Sequence, residues 1–205
     1  MSQPPTLPSR EQIELLEPFE RLALPDIHLI SSAPQAARAC QALADEAQLG
    51  FDTESRPTFR VGEASDGPHI VQLATLQQAW VFQLHDPGCR AHVAELLALG
   101  RVTKAGFGLG DDRRRITRKL GVEPDGVLEL NAVFRARGYR KEMGVKAAVA
   151  VLFQRRFLKS KKAATSNWAS PRLTEAQLLY AANDAWAAIR VFHALGLAAP
   201  GQPGR

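Results

Sequence analysis

The sequence predicts an α/β fold: a mixed β-sheet with one antiparallel hairpin, flanked by helices. Three patterns predict it. Two strand-length runs, Ile70–Thr75 and Ala79–Leu84, are separated only by Leu76, Gln77 and Gln78, a spacing that makes a hairpin of antiparallel strands. Shorter strand-length segments at Ile27–Ile30, Phe51–Ser55, Val102–Ala105 and Val127–Leu130 alternate with helix-length stretches, which supplies strands able to pair in parallel. A long, mostly apolar helix from about Glu175 to Leu195 follows Thr174, a good N-cap, and stops at Gly196.

Composition narrows the class. A chain of 205 residues suits one domain with a substantial core. Its 45% hydrophobic and 23% charged residues exclude a disordered polyelectrolyte. No apolar run approaches the roughly 20 residues that cross a bilayer, so no membrane is expected. The start, Met1-Ser2-Gln3-Pro4-Pro5, has neither the basic nor the apolar region of a signal peptide. Cys40 and Cys89 show no zinc or redox spacing and read as small buried side chains. Together these point to a reducing cytoplasm. Net charge is +5, and between Arg101 and Lys162 there are 17 basic residues against six acidic ones. Such a basic half-chain suits a polyanion, with nucleic acid the commonest, although surface lysines and arginines also serve solubility.

Taken in order, residues 1–24 hold four of the 13 prolines and read as an N-terminal extension, loose or packed on the outside. The domain proper spans residues 25–198. Ser32-Ala33-Pro34-Gln35 has the pattern of a capping box with proline in the first turn. The helix it opens carries Ala36, Ala39, Cys40, Leu43, Ala44 and Ala47 on one face. Gly50 precedes the Phe51 strand, which Pro57 closes, and a polar loop runs from Arg60 to Pro68. A helix from about Ala91 to Leu99 stops at Gly100. The bend Gly106-Phe107-Gly108-Leu109-Gly110 lacks the Gly-Lys-Ser/Thr ending and the dinucleotide spacing of phosphate loops. It reads as a tight turn that brings the next helix close to the sheet. That helix runs through Leu120 to Gly121; further helices span Asn131 to about Gly138 and Gly144 to about Phe153. A basic loop begins at Lys159, and residues 199–205 form a frayed tail.

The chemistry is concentrated in acids. Side chains alternate across a strand, so Asp52 and Glu54 share a face about 7 Å apart along the chain. Two carboxylates on one face of a core strand repel and are costly to desolvate. A hard divalent cation would relieve that cost; a solvated strand end is the plainer alternative. Tyr180 and Asp184, spaced i, i+4, project on the same side of the last helix. Of the adjacent acids after the glycine bend, Asp112 shares the apolar stripe of Leu109, Ile116 and Leu120. Asp111 is displaced by about 100° toward solvent.

In this order, FDTES, KAGFGLGDDRRRI and SNWASPRLTEAQLLYAANDAWAAIRVF resemble the DEDD superfamily of 3′→5′ exonucleases. Tyrosine four residues before the last acid matches the tyrosine subgroup, similar to RNase D and the exonuclease domain of the Werner syndrome protein. Leu179 stands where the sister subgroup has histidine. The chain reads Pro171-Arg172-Leu173 where RNase D-like sequences often read Arg-Pro-Leu, a change expected in the substrate channel and not at the metals. The resemblance implies a ribonuclease H-like fold and a two-metal mechanism releasing nucleoside 5′-monophosphates from a single strand or 3′ end. It implies that Asp52, Glu54 and Asp184 hold one Mg²⁺ or Mn²⁺, that Asp52 and Asp112 hold the second, and that Tyr180 orients the attacking water. Lys159, Lys161 and Lys162, three lysines in four residues, are expected to bind substrate phosphates. At 205 residues the chain lacks room for the helical RNA-binding domains of RNase D, which sets the expectation away from tRNA processing. The competing reading is a catalytically inactive nucleic-acid-binding module on the same fold.

Overall fold

A computed structural model describes residues 5–57 and 65–197. In chain order these form α1 (Arg10–Glu14), β1 (Ile27–Ile30), α2 (Ala33–Leu43), β2 (Gln48–Glu54), β3 (Ile70–Ala74) and β4 (Ala79–Gln83). They continue with α3 (Pro87–Leu97), β5 (Thr103–Gly106), α4 (Gly110–Leu120), β6 (Val127–Glu129) and α5 (Leu130–Ala136). The last elements are α6 (Val145–Phe153), α7 (Lys161–Ala164) and α8 (Glu175–Ala194). One sheet has the order β1-β4-β3-β2-β5-β6. β3 runs antiparallel to both neighbours, while β1–β4, β2–β5 and β5–β6 are parallel. The mixed sheet and its hairpin are therefore present.

The sheet separates two cores. On one side Leu49, Phe51, Val71, Leu73 and Phe82 pack with α2, α3 and Ile116 of α4. On the other, Ile70, Ala74, Val81 and Ala105 pack under α8 with residues of α5 and α6. α8 is apolar nearly all round, as a helix must be when covered on every side. Thr174 caps it through Gln177 N, in a capping box with the Gln177 side chain. Its small residues Ala181, Ala182 and Ala185 are fully buried and let it lie close on β2.

Several boundaries differ from the sequence expectation, each for a local reason. Ser32 is the N-cap of α2 but makes no side-chain cap. Gln35 Oε1 instead accepts from Ser31 N at 3.0 Å and from Ser32 Oγ at 3.1 Å, so only the glutamine half of the box forms, one residue early. α2 ends at Leu43, and Gln48, Leu49 and Gly50 belong to β2, because sheet pairing with β3 and β5 claims them. α3 starts at Pro87, four residues early, because Asp86 caps it by accepting from Cys89 N at 2.7 Å. The extension does not stay outside: Phe19 and Leu22 join the α8 core. Leu22 N donates to Asn183 Oδ1 at 2.8 Å, and Arg190 pairs with Glu20 at 3.2 Å. The basic loop contains α7 and the buried Trp168. Most of the Arg60–Pro68 loop and the 199–205 tail lie outside the described residues.

Candidate active site

The site forms where β2 ends under α8. Asp52 is in register with Gln72 and Glu54 with Ile70. Ile70 belongs to the α8 core and Phe51 to the opposite one, so Asp52 and Glu54 face α8 while Thr53 faces α4. Asp184, one turn after Tyr180, points down from α8. Carboxylate oxygens of Asp52, Glu54 and Asp184 lie within 4.8 Å of one another. Asp112 arrives from the other layer, at the start of α4, and accepts from Thr53 Oγ1 at 2.6 Å. Asp111 turns outward to Arg114. Glu129 fixes the bend before α4, accepting from Gly108 N at 3.1 Å and Leu109 N at 2.7 Å. Gly108 has φ +72°, a conformation glycine adopts without steric cost.

Burial and crowding raise every carboxyl here. Glu54 is pushed up to about 9 by desolvation, then by repulsion from Asp52 and Asp184. Asp52 rises well above its usual range through burial and the Asp184 charge. Asp184 rises through burial, opposed by the Lys159 ammonium and the Tyr180 hydroxyl. Asp112 rises through burial against the Thr53 hydroxyl that favours its charged form. Burial works against the Lys159 ammonium, yet Asp184 and Asp52 outweigh it and hold the amine above its ordinary value.

This donor set fits divalent cations. It is all carboxylate oxygen, the ligand type of hard ions, and both buried oxygens of Asp184 lack an aligned hydrogen-bond donor. Asp184 Oδ2 has Lys159 Nζ at 2.6 Å, a close contact of opposite charges. Cation binding to the folded state should therefore raise the melting temperature, and the gain should grow with pH. Glu54 held near 9 stabilises the cation-free fold fully below the free glutamate pKa of about 4.3. That contribution is lost as pH rises through about 9, since the folded state then no longer holds extra protons. In chelator, melting temperature should fall between pH 6 and 9; saturating Mg²⁺ or Mn²⁺ should flatten the fall. Equal slopes with and without cation would contradict the assignment.

A cleft of about 540 Å³ opens beside the acids, lined by Asp52, Asp184, Lys159, Lys146, Phe107 and Asn131. The three loop lysines separate: Lys159 turns into the acids, whereas Lys161 and Lys162 are exposed on α7. They do not form one patch, because buried carboxylates attract only the side chain that can reach them. Sequence reasoning missed Lys146, Phe107 and Asn131 as cleft residues. Nothing periodic marks the first two. Asn131 had a usable signal, a polar residue opening a helix; it is buried and accepts from Met143 N at 2.8 Å. Thr53 was overlooked between the two acids, though alternation alone places it on the α4 side.

Fold and site together define an α/β domain with a carboxylate centre suited to divalent cations, at the carboxyl ends of parallel strands. The chain belongs to the 3′-5′ exonuclease family, whose sequence profile matches residues 27–198. It is 28% identical over 156 residues to the mouse bifunctional 3′-5′ exonuclease/ATP-dependent helicase WRN, covering 75% of this chain and 11% of that protein. It is 26% identical over 149 residues to an Arabidopsis thaliana 3′-5′ exonuclease, covering 72% and 52%. The chain thus spans about half or less of these curated relatives. Among solved structures it resembles the Aedes aegypti Nibbler EXO domain, with TM-score 0.74, 21% identity and 87% and 90% of the two chains covered. It also resembles Trypanosoma brucei RNase D, with TM-score 0.74, 19% identity and 82% and 64% covered. These likenesses establish the ribonuclease H-like exonuclease fold. Among the described residues, no helix is long and apolar enough to cross a membrane.

Proposed function

We propose that the chain hydrolyses phosphodiester bonds from the 3′ end of a nucleic-acid strand and releases nucleoside 5′-monophosphates. The observation that carries this reading is the convergence of Asp52, Glu54 and Asp184 within 4.8 Å beside an open cleft. In this reading Asp52, Glu54 and Asp184 would hold one Mg²⁺ or Mn²⁺, and Asp52 with Asp112 would hold a second. When bound, such ions make a nucleophile of water at neutral pH and offset charge on the leaving oxygen. The protein's own part is to fix the four carboxylates from two layers, so that no reorganisation is needed when charge develops. Two free, buried thiols, Cys40 and Cys89, support a cytoplasmic setting. Trypanosoma brucei RNase D is known in complex with RNA U12, which supports a single strand as substrate. Exposed Lys161 and Lys162 would then meet phosphates upstream of the cleft.

Tyr180 serves as a donor and not as a base. Burial and the Asp184 charge push its hydroxyl well above the ordinary range, so it stays protonated at neutral pH and can orient water. Its ring packs against Trp168 at 5.8 Å. Tyr180→Phe keeps the ring and removes the hydroxyl, and should lower single-turnover cleavage by roughly 10²–10⁴-fold. Cation affinity measured by calorimetry should hardly change. Wild-type cleavage by the Phe variant would remove Tyr180 from the mechanism.

Incubation of the pure chain with end-labelled, matched RNA and DNA strands and Mg²⁺ or Mn²⁺ tests the reading. A ladder of shortened products that chelator abolishes is expected. A mobility shift without shortening would instead favour the inactive binding module.

A further inference from the structure

We propose that Lys159 is a built-in counter-cation of the carboxylate centre: its ammonium occupies the acids when no divalent ion is bound, and leaves when one binds. This rests on the nuclease reading above and adds a competitor for its cation. Lys159 Nζ lies 2.6 Å from Asp184 Oδ2, with the Asp184 side chain 4% exposed and that of Lys159 29% exposed. The same Nζ sits 4.9 Å from the centroid of the Tyr180 ring. Two groups one turn apart on α8 therefore hold one ammonium, and Trp168 supports the ring.

The ammonium and a divalent ion compete for the same place. Asp184 is one of three acids whose oxygens gather within 4.8 Å, and an ammonium against one of them repels any cation bound by all three. The ammonium lies against one carboxylate only, whereas a divalent ion can be shared by all three, so it offsets more of the repulsion and can displace the lysine. While the ammonium is in place the apparent cation affinity is reduced by the fraction of molecules it occupies. The backbone permits the exchange. Lys159 lies on an irregular segment between buried Phe157 and the Ser160 cap of the four-residue α7. Its long side chain can swing into the cleft that it already lines with Lys146. A released ammonium there faces the path of an incoming phosphodiester, so cation loading and strand binding would use the same lysine in turn.

The test is calorimetric titration of the chelator-stripped chain with Mn²⁺. Lys159→Met should bind Mn²⁺ roughly tenfold more tightly than wild type, the scale of one charge-assisted contact removed from competition. Lys159→Arg, which keeps the charge, should bind no more tightly than wild type. Unchanged or weaker binding by the Met variant overturns the proposal. A second measurement needs no variant: acylation of wild-type lysines read by mass spectrometry. Lys159 should be protected in chelator and become several-fold more reactive at saturating Mg²⁺, with Lys162, exposed on α7 outside the cleft, as an internal reference. No change at Lys159 relative to Lys162 likewise overturns it. If wild type binds Mn²⁺ and shortens strands while Lys159 shows neither effect, only this inference fails. If wild type binds no cation and cleaves nothing, the nuclease reading fails with it.

Discussion

Asp112→Asn should lower cleavage by roughly 10²–10³-fold or more, the scale of losing one preorganised electrostatic group at a reacting centre, whereas Asp111→Asn should leave most activity intact. The two acids are adjacent, and the fold gives them opposite environments. Asp112 is partly buried at the start of α4 and accepts from Thr53 Oγ1 at 2.6 Å, beside the strand that carries Asp52 and Glu54. Asp111 has a side chain 64% exposed and pairs with Arg114, itself 77% exposed. An exposed pair of that kind contributes little. Asparagine at 112 retains an oxygen for the Thr53 hydroxyl but cannot carry charge, so the fold should survive. Because burial already disfavours the Asp112 anion, melting temperature in chelator should be unchanged or higher. Product ladders and thermal melts of the two variants decide the matter. An inactive Asp111→Asn beside an active Asp112→Asn would overturn both the helix phase and the assignment.

What could be read from the sequence was what local periodicity controls. Alternation along β2 put Asp52 and Glu54 on one face, and i, i+4 spacing put Tyr180 above Asp184, because both follow from backbone geometry alone. The hairpin was legible from its short connection, and Gly121 from its place after the last apolar residue of α4. Long-range contacts were not. Thr53 finds Asp112 59 residues away, and Lys159 finds Asp184 through a fold that no loop composition encodes. The three lysines looked equivalent because their difference lies in which buried carboxylate each can reach. Ala44 and Ala47 looked helical on an alanine-rich stripe, but α2 ends at Leu43 and Ala47 O accepts from Thr103 N, so sheet pairing overrode that propensity. The N-terminal extension looked loose because proline content says nothing of Phe19 packing under Arg190 and Trp186.

Gly50 illustrates the same limit and carries the second large effect. In the sequence it reads as punctuation before a strand; in the fold it is a point where the backbones of β2 and α8 approach closely. A Cβ built there would lie 1.9 Å from the backbone oxygen of Ala185 and 3.1 Å from Ile189 Cβ. Backbone cannot rotate away as a side chain can, so the helix itself must move. Gly50→Ala should therefore cost about 3 kcal/mol or more, the upper range for overpacking a core and a large share of the 5–15 kcal/mol typical of a domain. The shift would also lift Asp184, next to Ala185, away from Asp52, so Mn²⁺ affinity should fall along with the denaturation midpoint. Gly110→Ala provides the control. A Cβ there meets nothing within 4 Å, and alanine favours the helix by up to about 1 kcal/mol, so its midpoint should be unchanged or higher. A Gly50→Ala chain that unfolds at the wild-type denaturant concentration would show that α8 does not rest on β2 at this distance. It would remove the geometric basis for the three-acid cluster as well.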